Sequence, residues 1–147
     1  MTLKERLQDD LKTAMKEKDT IRKNVVIMTK AAVLQIEKDK KIELDDEGVI
    51  DVVAKGVKQR KDAIPEFERG NRPDVVEDLN REIAFLMAYL PQQLNEAEIR
   101  KIVTDTISEV GATSAKEMGK VMGALQPKIK GKADGKLVNT IVKEILS

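Results

Sequence analysis

The sequence predicts an all-α protein in which an N-terminal domain of about four helices precedes a small C-terminal domain of three helices. Apolar residues recur every three to four positions along most of the 147-residue chain. Charged residues make up 36% of the chain and aromatic residues only 2%, which is typical of helices with solvated faces and aliphatic seams. Capping patterns separate these segments, and Pro91 stops one of them. We therefore expect domains over residues 1–91 and 92–147.

The first two helices are predicted from their caps. Thr2 and Glu5 have the spacing of a capping box, and leucines follow at helical spacing. Asp19 or Thr20 then caps a second helix. The apolar arc over residues 21–36 is so wide that we expect the second helix to be the most enclosed of its domain.

The third helix begins at three adjacent acids, residues 45–47, because negative charge is favoured at a helix N-terminus. The other interpretation is a carboxylate metal site. Three successive helical residues point in different directions, so we predict no metal site. Pro65 is expected to kink this helix, since it removes one backbone donor while Phe67 continues the periodicity.

Arg60 falls on the apolar seam of the third helix. It is either an arginine whose stem lies along the edge of the seam with its head in water, or a buried arginine paired with a carboxylate at a packing or partner-docking surface. We keep both interpretations open.

The fourth helix begins with Pro73, which suits a first helical turn. Phe85 and Tyr89 lie four residues apart on its flank. Two aromatic residues at that spacing either fill the core or a groove, or form a base-stacking site.

Caps also divide the second domain. Asn95 and Glu98 predict a capping box, Gly111 fits a left-handed C-cap, and Ser114 with Glu117 predicts another box. The next helix and the loop after it hold the unusual residues of the chain.

Gly119 and Gly123 lie four residues apart and therefore share one helix face. Each costs roughly 1 kcal/mol relative to alanine in a helix interior, so the pair needs a reason. The reason is close approach of another backbone, either inside this domain or on a partner.

Lysines dominate the end of the chain. From Gly111 onward there are seven lysines and three acids, and Pro127 and Gly131 are expected to bound a lysine-bearing loop. Asp134 is expected to cap the last helix and so occupy its N-terminal donors. The lysines form either a solvated basic face or a patch that contacts phosphates. The candidate nucleic-acid contacts are Lys120, Lys128, Lys130, Lys132 and Lys136.

The composition also excludes several kinds of chemistry. With no cysteine and no histidine, the chain lacks a thiolate nucleophile and the commonest general base, and we predict no catalytic residue and no cofactor. The net charge of +1 draws the whole protein to no polyanion. No apolar run is long enough to span a membrane, and the charged N-terminus does not resemble a signal peptide, so a cytoplasmic location is expected.

Three stretches together resemble the YqeY family of small bacterial proteins: KQRKDAIPEFERGNRPD, YLPQQLNEAEI and MGKVMGALQPKIKGKADGKLVN. The resemblance covers essentially the whole chain. It implies a C-terminal region shared with the tail of the B subunit of aspartyl/glutamyl-tRNA amidotransferase, where the helical tail is implicated in holding tRNA. Four glycines, Ala133 and Asp134 match the shared motif. Pro65, inside the third helix, is a departure that the resemblance does not lead us to expect.

The resemblance implies a non-catalytic module whose partner is tRNA or a tRNA-handling enzyme, bound through the basic C-terminal patch. One alternative is a protein–protein adaptor without RNA contact, docking through the glycine pair or the seam that holds Arg60. Another is an accessory to a glutamine-dependent carbon–nitrogen ligase. No membrane partner is expected.

Overall fold

In the computed structural model, which describes residues 1–147, the chain forms seven α-helices and one 3₁₀ turn without any strand, which confirms the all-α prediction. The chain divides into two compact units, Met1–Leu90 and Pro91–Ser147. The first unit contains α1 (Leu3–Glu17), α2 (Thr20–Lys40), α3 (Asp46–Arg69) and α4 (Pro73–Met87). The second contains α5 (Glu96–Val110), the 3₁₀ turn (Ala115–Glu117), α6 (Met118–Ile129) and α7 (Gly135–Leu146).

The first two helices begin where their caps predict. The hydroxyl of Thr2 accepts a hydrogen bond from the backbone N–H of Glu5 at 3.2 Å. The carboxylate of Asp19 accepts one from the N–H of Arg22 at 3.1 Å. Each bond satisfies a backbone donor that has no partner within the helix, and this fixes the start of the helix.

Two acidic residues at the start of α3 accept hydrogen bonds from backbone N–H groups. Asp45 caps the helix by accepting from the N–H of Gly48 at 2.9 Å, and Asp46 accepts from the N–H of Leu3 at 3.0 Å. No group of three or more acidic side chains in the chain is arranged to hold a metal ion.

Two prolines lie inside helices. We expected Pro65 to kink α3 without ending it, and one helix does run through Pro65 to Arg69. The kink itself stays a prediction. We also expected Pro127 to open a loop, and this was wrong, because α6 continues through it to Ile129. A proline removes one backbone hydrogen bond, and at Pro127 the burial of Leu125 and Ile129 on either side holds the last turn in place.

The expectation that α2 is the most enclosed helix was wrong. Its valines and Thr29 face the core of the first unit, but the opposite side of its apolar arc is open to solvent. Ile27, Met28 and Leu34 are 44%, 59% and 56% exposed. The helix packs against α1, α3 and α4 on one side only, so nothing in the unit covers the rest.

A polar network joins α1 and α2 to the residues after α4. Tyr89 is 3% exposed, and its hydroxyl donates a hydrogen bond to the carboxylate of Asp10. The other oxygen of that carboxylate accepts from Arg22 at 3.1 Å. The Arg6 guanidinium lies 4.3 Å from the centroid of the Tyr89 ring, and Arg22 lies 5.0 Å from that of Phe85. The two aromatic residues therefore fill the core and form no exposed stacking platform.

The single tyrosine gives this network a direct probe. Burial, and then the hydrogen bond to Asp10, raise the pKa of Tyr89. Because the folded pKa lies above the unfolded value of about 10, the stabilisation is complete below that pH and is lost as the pH rises through the folded pKa. With one tyrosine and no tryptophan, the ultraviolet absorbance of phenolate reports this group alone. We expect phenolate to form together with the loss of helical circular dichroism. Phenolate formation near pH 10 in a fully helical protein would contradict this.

The second unit starts with the predicted capping box. The carboxamide oxygen of Asn95 accepts from the N–H of Glu98 at 2.8 Å, and the Glu98 carboxylate accepts from the N–H of Asn95 at 3.2 Å. Gly111 ends α5 with φ of +69°, as expected of a left-handed cap. The predicted box at Ser114 is absent. Residue 114 precedes a 3₁₀ turn, and Glu117 accepts instead from the N–H of Thr113 at 2.7 Å.

Candidate nucleic-acid interface

Helix α6 has one buried face and one bare face. Val121, Leu125 and Ile129 are buried in the core of the second unit, together with residues of α5 and α7. On the other side, Gly119, Lys120, Gly123, Gln126 and Pro127 are exposed. Spacings of three and four residues place these exposed positions along one stripe of the helix.

The glycine pair packs against nothing in the chain. A Cβ atom built at Gly119 or at Gly123 would meet no heavy atom within 4 Å. The interpretation that these glycines allow close packing inside the unit is therefore wrong. Of the two interpretations drawn from the sequence, the one left is that the glycines keep the helix backbone open to a partner.

Lys128 does not belong to the exposed stripe. It lies five residues after Gly123, about 140° around the helix, on the side that faces α5. There its ammonium group donates to the Thr106 hydroxyl and to the Glu109 carboxylate, both at 2.9 Å. This corrects the predicted basic patch, because one of its five lysines is paired with an acid of the same unit.

The loop between α6 and α7 is held in place by backbone hydrogen bonds. Gly131 adopts φ of +72°, where glycine is favoured. Its carbonyl accepts from the Gln93 side chain at 2.7 Å. The carbonyl of Lys132 accepts from the N–H of Leu94 at 2.8 Å. The N–H of Lys132 donates to the carbonyl of Ile129, also at 2.8 Å. The segment before α5 therefore fixes the path of the basic loop.

The other predicted lysines are exposed around this loop. Lys130 precedes Gly131, Lys132 lies within the loop, and Lys136 lies in the first turn of α7. As predicted, Asp134 caps α7, since its carboxylate accepts from the N–H of Lys136 at 2.9 Å. A phosphate at this surface therefore has to be bound by ammonium groups.

The acids of this region are engaged in structural contacts. Of the three acids after Gly111, Glu117 and Asp134 accept backbone hydrogen bonds, and Glu144 accepts from Arg100 at 2.7 Å. The carboxylates of Glu144 and then Glu96 raise the pKa of Arg100. The ammonium groups of Lys120 and Lys132 make no ion pair. An excess of positive charge is therefore displayed beside the exposed glycines.

Arg60 lies outside this surface, in the first unit. Its side chain is 12% exposed, and its Nε atom lies 3.5 Å from a carboxylate oxygen of Glu82 in α4. Its Nη1 atom donates to the carbonyl of Gly56 at 3.1 Å. A Cβ atom at residue 56 would lie only 3.2 Å from Nη1, so the glycine makes room for the guanidinium. Arg60 is thus the carboxylate-paired arginine of the second interpretation, with a side chain that is mostly enclosed.

The sequence is similar to mitochondrial proteins of fungi. It is 30% identical over 146 residues to "Altered inheritance of mitochondria protein 41, mitochondrial" of Pyrenophora tritici-repentis, covering 96% of this chain and 79% of the relative. The protein of the same name from Kluyveromyces lactis is 39% identical over 110 residues, which cover 67% of this chain and 57% of that one. A cytoplasmic location stays a prediction, since these relatives are named as mitochondrial.

The chain is also similar to part of an amidotransferase subunit that is named for glutamyl-tRNA(Gln). The E subunit of the glutamyl-tRNA(Gln) amidotransferase of Methanococcus maripaludis is 32% identical over 91 residues, which make up 60% of this chain and 14% of that protein. The aligned share of this chain is larger than the second unit, so the similarity extends into the first unit.

A family model covers almost the entire chain. The model described as Yqey-like protein matches residues 4–146, which include every helix except the first residue of α1. No helix of the protein is both long and apolar enough to cross a membrane. The match confirms the resemblance inferred from the three sequence stretches, and the chain belongs to the family of Yqey-like proteins.

Proposed function

We propose that this protein is a non-catalytic module that binds a structured RNA, tRNA above all, through the exposed stripe of α6 and the basic loop that follows it. The observation that carries this proposal is the open backbone at Gly119 and Gly123 with lysines beside it. Without side chains at these positions, a sugar–phosphate backbone can approach the helix closely, while ammonium groups contact phosphates on either side.

The mode of binding follows from the composition of the second unit. There is no aromatic residue after Tyr89, so bases cannot stack on this surface. Recognition then depends on phosphate positions and the shape of the folded RNA, and the affinity falls steeply with salt. The similarity to an amidotransferase component that is named for glutamyl-tRNA(Gln) supports tRNA as the RNA to test first.

We propose that the chain does not itself transfer an amide nitrogen. Hydrolysis of glutamine needs an activated nucleophile, and the chain contains no cysteine and no histidine to serve as nucleophile or base. We expect no ammonia from glutamine with the purified protein, with or without tRNA. Steady release above that of a denatured sample would overturn this proposal.

The RNA proposal is tested by fluorescence anisotropy with labelled bulk tRNA and the full chain over a series of salt concentrations. Combined replacement Lys120→Gln, Lys130→Gln and Lys132→Gln is expected to weaken binding about tenfold or more at low salt. The slope of log Kd against log salt should fall by about 2–3, since each of the three lost phosphate contacts removes about 0.7–0.9.

Lys128→Gln is the matched control. It removes one positive charge from the same unit, as each replacement in the triple variant does, but its ammonium group already contacts Glu109 and faces α5. We expect its tRNA affinity and the slope of log Kd against log salt to match those of wild type, and its stability to change by at most about 1 kcal/mol. Absence of binding at low salt, or equal binding by the triple variant and wild type, would refute the RNA interface.

A further inference from the structure

Helix α2 exposes a continuous apolar surface that the proposed RNA interface does not use. We call the exposed residues Ile27, Met28, Ala31, Ala32 and Leu34 the α2 apolar face. Their spacings of three and four residues place them side by side over two turns of the helix. Three of them are large hydrophobic residues more than two-fifths exposed, in a chain with only six such residues.

The face lies between two grooves. One, with a volume of about 400 Å³, lies between α2 and α3, and Met28, Ala32 and Val52 contribute apolar walls. The other, of about 290 Å³, lies between α1 and α2 and includes Leu34 and Ala31. The two alanines lie between larger side chains, so the centre of the face is low, which allows a second helix to approach closely.

The charge around the face is positive. Helix α2 carries five cations and two acids, a net charge of +3. Arg22 is paired with Asp10, and Glu37 with Lys4, so these pairs contribute no net charge. The remaining charges of α2 are those of one acid, Asp39, and of four lysines, at positions 23, 30, 38 and 40. Lys30 lines the groove between α1 and α2, and its ammonium group donates only to the neutral side chain of Gln8.

We propose that the α2 apolar face and its two grooves bind an amphipathic helix of a partner protein whose apolar seam is bordered by acidic residues. The apolar seam would fill the two grooves at spacings of three to four residues. Acidic residues beside the seam would then lie opposite the lysines of α2, which sets the orientation and favours acidic partners over others.

Two other occupants fit the surface less well. A second copy of this chain would place the same patch against itself in a two-fold contact, so the basic α2 helices would face each other. An anionic membrane matches the charge, but an apolar face between two grooves is shaped to receive protruding side chains, whereas a bilayer surface has none. This inference does not depend on the RNA proposal, because the RNA interface lies in the second unit and this face lies in the first.

The test uses the full chain labelled with ¹⁵N and two designed helical peptides with the same leucine seam. One peptide carries glutamates beside the seam and the other carries lysines. We expect the acidic peptide to shift backbone resonances of α2 and of the groove-lining parts of α1 and α3, with an affinity at least about tenfold higher than that of the basic peptide.

Three variants distinguish binding at the α2 apolar face from nonspecific hydrophobic binding. Leu34→Gln and Met28→Gln change exposed residues and should each weaken the acidic peptide about tenfold, because an apolar side chain is then no longer buried on binding. Leu137→Gln, in α7, changes another exposed leucine and should leave the affinity unchanged. All three variants should bind tRNA as wild type does.

Several outcomes would overturn the proposal. These are equal affinity for the two peptides, resonance shifts outside the first unit, or Leu34→Gln binding as tightly as wild type. A dimer that is detected by sedimentation and that Leu34→Gln dissociates would assign the face to a second copy of the chain. Binding to phosphatidylserine vesicles that Leu34→Gln abolishes, without peptide binding, would assign it to a membrane.

Discussion

Replacement of Asp10 by alanine is expected to lower the free energy of unfolding of the first unit by about 2–4 kcal/mol, because it leaves partly or fully buried donors without an acceptor. The Tyr89 hydroxyl is buried and donates to Asp10, and Arg22 donates to the same carboxylate at 3.1 Å. Arg6, which lies against the Tyr89 ring, would also lose its nearest acid, 3.9 Å away. Amide hydrogen exchange of the full chain measures the change in each unit separately.

Two further variants identify the cause. Asp10→Asn keeps an acceptor for Tyr89 and removes the charge, so it should cost less than Asp10→Ala. Tyr89→Phe leaves Asp10 with Arg22 and should cost about 1–2 kcal/mol. In a double-mutant cycle the two losses should not add, since both remove the same hydrogen bond. Additive losses would show that Asp10 and Tyr89 are not energetically coupled. An Asp10→Ala loss below about 0.5 kcal/mol, the range usual for an exposed site, would show that the network is not stabilising.

The sequence predicted features that depend on neighbouring residues in the chain. The caps at Thr2, Asp19 and Asn95 each accept from a backbone N–H three residues away. The sequence pattern therefore predicts the hydrogen bond directly. Pro73 likewise begins α4 as expected. Helix existence and most boundaries were therefore predictable, and so was the all-α fold.

Features that depend on distant residues were not predictable. Asp10 and Tyr89 are 79 positions apart, and no local pattern indicates their hydrogen bond. The apolar arc of α2 was correctly read as an arc, but sequence alone could not show that its neighbours cover only one side. The exposed part of that arc is the surface to which we assign a partner helix.

The candidate RNA interface divides in the same way. The sequence placed Gly119, Gly123 and Lys120 on α6, and it predicted that Asp134 would cap α7. It did not show that Lys128 meets Glu109, because that pair joins two helices at a separation of 19 residues. Nor could it distinguish glycines packed inside the unit from glycines left open.

The glycine pair gives the second prediction with a large effect. Gly119→Ala and Gly123→Ala together should raise the free energy of unfolding of the second unit by about 1–2 kcal/mol, because alanine is the better helix former. No atom lies within 4 Å of either new Cβ, so no clash offsets the gain. Gly119 lies in the first turn of α6 and should contribute the smaller part. Urea unfolding followed by hydrogen exchange measures the change.

The same double variant should bind tRNA more weakly than wild type, by about fivefold to tenfold, because two methyl groups would hold a sugar–phosphate backbone away from α6. A glycine that lowers stability without packing against the protein is expected where the function needs the bare backbone. Gly48→Ala in α3 is the control for the stability effect. Its Cβ would lie 2.8 Å from Leu44 Cδ2, so it should stabilise less than Gly123→Ala or destabilise. A more stable second unit with unchanged tRNA affinity would mean that the open glycines do not contact the RNA.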